Sequence, residues 1–156
     1  MLGFSRNKAG KRVALVDLDG TLVVVRHLAH LVVGPKRDLN AYHTLVENAP
    51  LNRGVLQEVE RVRREGAEIF VLTSRPETHR SMTNRWLRFH RVPVNKLIMR
   101  GNGDKRGSDV YKRDVVRKLK RQGYTVVKAW DDEPDVVSMY RDEGVDVTKI
   151  PGWIGR

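Results

Sequence analysis

Short apolar runs alternate with amphipathic stretches along the chain. Five runs read as strands: residues 12–16, 68–72, 96–99, 125–130 and 145–150. Between them, Val55, Leu56, Val59 and Val62 recur at helical spacing and stop at Gly66, while Met82, Trp86 and Phe89 stand at i, i+4 and i+7. Tyr111, Val115 and Leu119 repeat a four-residue step before Gly123, and a last helix opens at Pro134 and ends at Gly144. Strands alternating with helices predict an α/β domain, a Rossmann-like, mostly parallel five-stranded sheet flanked by helices. The apolar stripes are the expected core, Phe89 and Trp86 included.

Residues 22–52 follow no strong period and carry Gly34, Pro35 and Pro50. They predict a loop with one or two short helices, long enough among connections of this kind to serve as a small lid. The first ten residues, basic and polar, predict a flexible arm. A length of 156 residues suits one domain over the whole chain, 1–156. No run approaches a membrane span and the N-terminus lacks the apolar stretch of a secretory signal, so the expected location is the cytoplasm.

The chain has no cysteine. Disulfides, thiolate metal sites and cysteine nucleophiles are excluded together, leaving carboxylates, hydroxyls, histidines and amines to carry any chemistry. The formal charge is +11 and unevenly spread. Residues 75–121 hold fifteen Lys or Arg against four acids, whereas residues 129–156 hold seven acids against three bases. A basic middle and an acidic end are read as either a solvated surface or a polyanion-binding face beside a cation site.

The chemistry concentrates in Asp17-Leu18-Asp19-Gly20-Thr21. Two carboxylates at i and i+2 after a strand point to one side of an extended chain, and Gly20 permits a sharp turn. In open α/β sheets that strand end is where ligands bind. One carboxylate there can attack phosphorus and the other can move the proton. Taken alone, the segment also reads as a plain turn or a cation-binding loop.

The chain resembles the haloacid-dehalogenase (HAD) superfamily of phosphohydrolases. Asp17–Thr21 is similar to the nucleophile motif of that superfamily, Thr73 to its second motif, Lys112 to its third, and Trp130-Asp131-Asp132 to its fourth. The resemblance implies Asp17 as nucleophile, Asp19 as acid and base, Thr73 and Lys112 on the phosphoryl group, and Mg2+ held by Asp17, the Asp19 carbonyl, and Asp131 or Asp132.

Within the superfamily the chain most resembles the 3′-phosphatase module of phage-type polynucleotide kinase-phosphatases. The residues responsible are Thr73-Ser74-Arg75, Met99-Arg100, Gly103-Asp104-Lys105-Arg106, Asp109, Lys112 and Asp131-Asp132, with Arg26-His27 in the segment after the first motif. By that resemblance Thr21, Arg26, Ser74, Arg75, Asp104, Arg106 and Asp109 shape the phosphate and substrate pocket. Ser74 and Glu133 depart from the family's usual glycine and arginine. No G-x-x-x-x-G-K-[ST] segment occurs, so a kinase or ligase partner activity would come from a separate chain.

The expected substrate is a DNA or RNA end bearing a 3′-phosphate, with Arg75, Arg80, Arg85, Arg88 and Arg91 on or beside the helix after Thr73 available to a phosphate backbone. The alternatives are a nucleotidase or other small-molecule phosphatase, and an inactive nucleic-acid-binding domain on the same scaffold. His27, His30 and His43 lack an evident fourth ligand and do not predict a zinc site. Trp153 reads as a packing residue.

Overall fold

A computed structural model describes residues 10–152. The expected basic arm, apart from Gly10, and Trp153 lie outside these residues. The strands are β1 (Lys11–Val16), β2 (Glu68–Pro76), β3 (Lys96–Arg100), β4 (Tyr124–Asp131) and β5 (Val147–Lys149), all parallel, in the order β3-β2-β1-β4-β5. The helices are α1 (Leu39–Leu45), α2 (Arg53–Arg64), α3 (Arg80–Phe89), α4 (Ser108–Arg121) and α5 (Pro134–Asp142). The α/β sheet expected from the alternation of runs is present.

Side chains on a strand alternate between faces, and β1 distributes its residues accordingly. Ala14 and Val16 face a core completed by α2, α3 and the segment after β1, while Val13 and Leu15 face a second core completed by α4 and α5. A strand buried on both faces must be apolar at every position, which explains why the run from Val13 to Val16 shows no polar alternation.

The differences from expectation are local. Strand β2 runs on to Pro76, because polar Ser74 and Arg75 keep the extended path and Pro76 pairs with Arg100 after a shift of register. Strand β5 is shorter than expected and sits at the sheet edge, where among the described residues one side lacks a neighbour. Met82 packs against the core and Trp86 is buried, its indole N–H donating to the Ala49 carbonyl at 2.9 Å. Phe89, expected in the same stripe, is 82% exposed. It is the last residue of α3, and an open groove separates it from the opposing segment Glu47–Pro50.

Residues 22–52 fold into a short 3-10 turn (Arg26–Leu31), α1, and a second 3-10 turn (Val46–Asn48). The Asp38 carboxylate accepts from the Ala41 N–H at 3.0 Å and so starts α1. Leu22, Val23, Val25, Leu28, Leu31, Tyr42 and Val46 are buried in the first core, so this segment is anchored to the domain by apolar packing.

Candidate active site

Register places the acidic residues. Val16 pairs with Trp130, so Asp17 and Asp131 leave the central strands side by side, and the Asp17 N–H donates to the Trp130 carbonyl at 3.1 Å. Gly20, at φ 87°, turns the chain back, and its N–H donates to the Val23 carbonyl. Strand β2 brings Thr73 to the same edge, and α4 brings Lys112 beneath it.

Lys112 is buried and bridges two carboxylates, with Nζ 2.9 Å from Asp17 Oδ1 and 2.7 Å from Asp131 Oδ2. Asp17 also accepts from the Thr21 hydroxyl at 3.0 Å. Carboxylate oxygens of Asp17, Asp131 and Asp132 lie within 4.8 Å of one another. Burial, then the charge of Asp131, pushes Asp17 up to about 7 against the opposing pull of Lys112. Burial also raises Asp131. Burial would lower Lys112, but Asp131 and Asp17 outweigh it and hold the amine charged well above its ordinary value. Three buried carboxylates facing one ammonium form an all-oxygen, electron-rich donor set that fits a hard divalent cation such as Mg2+. Among the described residues no such ligand group includes a histidine.

Asp19 has different surroundings. The Arg75 guanidinium meets it with two bonds, Nε to Oδ2 at 2.8 Å and Nη2 to Oδ1 at 2.6 Å, and its remaining nitrogen donates to Thr83 at 3.0 Å. The Tyr42 hydroxyl donates to Asp19 as well. Burial would raise the Asp19 carboxyl, but the charge and hydrogen bonds of Arg75 outweigh it and hold the group below its ordinary value. The two aspartates of one turn are thus pushed in opposite directions. Asp17 shares its space with acids, and Asp19 is clasped by a cation.

These residues open into a pocket of about 460 Å3. Asp17, Asp19, Thr73, Ser74, Arg75 and Lys112 form its floor, while Val32, Arg37, Leu39 and His43 of the 22–52 segment form one wall. Thr73, Asp131 and Asp132 are buried. The Ser74 and Ser108 hydroxyls meet at 2.9 Å on the opposite side. Arg26 is exposed and does not line the pocket; Arg37 does. Asp104, Arg106 and Asp109 do not line it either. Asp104 and Arg106 form an exposed ion pair that also joins Asp114, and Arg106 lowers Asp104 to about 2. Asp109 stands in the first turn of α4, close to Gly107. Of the arginines expected to track a backbone, Arg80 pairs with Glu77 and Arg85 with Glu47.

Several contacts that hold the site together were not expected from the sequence. Arg100 donates to the carbonyls of Ser74 and Arg106 and stacks on Tyr111 at 4.8 Å, tying the 100–108 loop to the second motif. His43 stacks on His79 with ring centres 4.1 Å apart, joining the pocket wall of the 22–52 segment to the start of α3. Gly152, buried after β5, lies so close to Gly20 and Asp132 that a methyl group there would collide with the Gly20 carbonyl and stand 2.7 Å from Asp132 Cβ. Apart from the bond of Arg100 to the Arg106 carbonyl six residues on, these contacts join segments far apart in sequence, and no local pattern announces them.

The family model of the polynucleotide kinase PNKP phosphatase domain matches residues 11–151. The chain belongs to this family. It is a phosphatase, a hydrolase of phosphate esters on the HAD scaffold. A structure of the Pnkp1/Rnl/Hen1 RNA repair complex includes a chain 25% identical to this one, with a TM-score of 0.73, covering 90% of this chain and 42% of its own. Another Pnkp1/Rnl/Hen1 complex gives 23% identity and a TM-score of 0.74, covering 90% and 46%. The domain therefore spans less than half the length of these neighbours. The class C acid phosphatase from Bacillus anthracis, solved with tungstate bound, shares the fold at 16% identity and a TM-score of 0.63, covering 94% of this chain and 69% of its own. No curated protein matches the chain by sequence. No helix among the described residues is long and apolar enough to cross a membrane.

Proposed function

We propose that this phosphatase domain removes the terminal 3′-phosphate from nucleic-acid ends, with Mg2+ as cofactor and an aspartyl-phosphate on Asp17 as intermediate. The observation that carries the reading is the burial of Asp17 between Lys112 and Asp131 at the floor of a pocket into which a phosphoryl group fits. The PNKP-type family supports the 3′-end, and the excess of cations supports a polyanionic substrate.

In this reading Asp17 attacks phosphorus, the bond to the 3′-oxygen breaks, and Asp19 delivers a proton to that oxygen. A water then gives its proton to Asp19 and attacks phosphorus, releasing inorganic phosphate and restoring Asp17. Lys112 and the Thr73 hydroxyl stabilise charge on the phosphoryl oxygens. Asp17, Asp131, Asp132 and the Asp19 carbonyl would hold Mg2+, which would supply positive charge to offset that of the phosphate. The grip of Arg75 favours the anionic form of Asp19, which suits the water step. For the first step Arg75 must turn part of its fork toward the phosphoryl group, leaving Asp19 free to carry the proton.

The test is phosphate release from 3′- and 5′-phosphorylated oligonucleotides in Mg2+ or chelator, with Asp17→Asn alongside. Release from the 3′-end alone, lost in chelator and in the variant, is expected. Turnover by Asp17→Asn would sink the covalent mechanism. The rival reading, a phosphatase for free nucleotides, draws on the lid wall of Val32, Arg37, Leu39 and His43, which roofs part of the pocket. A preference for 3′-mononucleotides that ignores salt would favour it. Any coupled kinase or ligase activity is proposed to reside outside the domain described.

A further inference from the structure

The misplaced core residue Phe89 marks a second surface. A groove of about 590 Å3 runs between the end of the lid segment, at Glu47–Pro50, and the C-terminal half of α3. Trp86 closes its floor. The His90 ring lies 4.3 Å from that of Trp86, and the Phe89 ring stands edge-on to His90 at 5.0 Å, projecting into solvent. A single exposed apolar side chain has no significance by itself. Here, however, the exposed ring belongs to a tier of three aromatic rings on one groove.

Cations border this tier. Arg85 lines the groove, Arg53 lies near enough to His90 to help depress it, after burial, and Arg91 is exposed two residues beyond Phe89, whereas Arg88 turns to a separate recess with Asn84 and Leu87. Among the described residues the only acid lining the groove is Glu47, already paired with Arg85 at 2.8 Å. An apolar face meant for a protein partner has no need of so many like charges. Flat rings interleaved with arginines suit bases and phosphates of a single strand.

The groove is also in line with the active site. Helix α3 begins beside His79, which stacks on pocket-lining His43, and Thr83 holds Arg75. Phe89 follows Thr83 by six residues, about 9 Å along a helix. A strand with its 3′-end in the pocket has to travel only a few nucleotides to reach Phe89.

We infer that the Phe89–His90 tier is a binding subsite for the single-stranded nucleic acid upstream of the reacting end, with Phe89 as stacking platform and Arg53, Arg85 and Arg91 as phosphate contacts. This rests on the reading of the domain as a nucleic-acid 3′-phosphatase, and its test separates the two. Fluorescence anisotropy measures binding of a 3′-hydroxyl single-stranded oligonucleotide to the full chain, beside phosphate release from its 3′-phosphorylated form and from p-nitrophenyl phosphate, which is too small to span pocket and groove.

Phe89→Ala is expected to weaken oligonucleotide binding by about 5- to 150-fold, the range for losing one stacked base, and Phe89→Trp to preserve it. Hydrolysis of p-nitrophenyl phosphate is expected to stay at the parental rate in both variants. Arg53→Gln with Arg91→Gln should flatten the salt dependence of log affinity by about 1.4, at roughly 0.7 per phosphate contact on a single strand. Parental affinity in Phe89→Ala overturns the inference, as does a parent that binds no oligonucleotide at low salt. A groove that instead covers a second copy of the chain would show as a concentration-dependent mass abolished by Phe89→Ala with oligonucleotide binding unchanged, which also overturns it. If Phe89→Ala loses affinity but the parent releases no phosphate from a 3′-end, the subsite stands and the assigned reaction falls.

Discussion

Replacing Lys112 by Met isolates the electrostatics of the site. The substitution keeps an unbranched side chain of similar length, so α4 and its packing survive, but it removes the ammonium that sits 2.9 Å from Asp17 and 2.7 Å from Asp131. Asp17, Asp131 and Asp132 then remain buried within 4.8 Å of one another with no cation among them. Breaking a buried ion pair from one side costs about 3–5 kcal/mol. In a domain of this size each kcal/mol lowers the melting temperature by about 2–4 °C. The expected loss in chelator is therefore about 6–20 °C.

Magnesium should restore part of this. A ligand that binds the folded form alone at a hundred times its dissociation constant stabilises by about 2.7 kcal/mol, and the variant site is more acidic than the parent's. Its gain from Mg2+ should exceed the parent's gain. The deficit also depends on pH in a definite direction. Losing Lys112 raises the folded-state pKa of Asp17 above the present value of about 7, and a raised carboxyl stabilises at low pH and ceases to do so as pH rises through its folded value. The variant's deficit should thus be small near pH 5.5 and largest above pH 8. Melting curves by circular dichroism, with chelator or Mg2+ across this range, measure all three quantities. A Lys112→Met protein that melts within a degree of the parent at pH 8 in chelator refutes the reasoning.

Further predictions concern single contacts. Asp19→Asn should lower turnover by roughly 10²–10⁴-fold, the usual worth of a positioned acid-base group, and lower the melting temperature because Arg75 loses its charged partner; undiminished single-turnover rates would refute the proton-transfer role. Gly152→Ala places a methyl group against the Gly20 carbonyl and Asp132, so it should destabilise by about 1–3 kcal/mol and weaken Mg2+ binding measured calorimetrically, whereas parental values for both would mean the contact does not constrain the site. Asp104, lowered to about 2 by Arg106, stabilises the fold above the ordinary carboxylate range and stops doing so as pH falls toward 2. The stability gap between parent and Asp104→Asn should accordingly be constant near neutrality and close on acidification, as urea titrations at pH 7, 4 and 3 would show.

The frame of this domain was legible because it is written in local patterns. Helix starts, glycine stops and doubly buried strands each depend on residues within a few positions, and all five strands fall where apolar runs predict them. Asp17 was legible from its pairing with Asp19 at a strand end, whereas Thr73 and Lys112 were marked by the family resemblance, and the structure brings all three into one pocket. What escaped depends on pairs distant in sequence. Periodicity assigned Phe89 to the core, but only the distant segment Glu47–Pro50 decides whether anything covers the end of α3. The bond from Arg75 to Asp19 spans 56 residues and the stack of His43 on His79 joins two separate helical segments, so no window of sequence contains either.

Strand β5 gives the site a mechanical dependence. It has three residues and pairs on one side, yet the Ile150 N–H just beyond it donates to the Asp131 carbonyl at 2.9 Å and Gly152 abuts the nucleophile turn. Short edge strands are among the first parts of a sheet to open, while central strands persist to global unfolding. Detaching β5 would leave β1, β2 and β4 intact and still slacken the acidic corner at Asp131 and Asp132. Catalysis should therefore fade on warming before the domain melts, and amide hydrogens of residues 147–150 should exchange earlier than those of the central strands that carry the nucleophile.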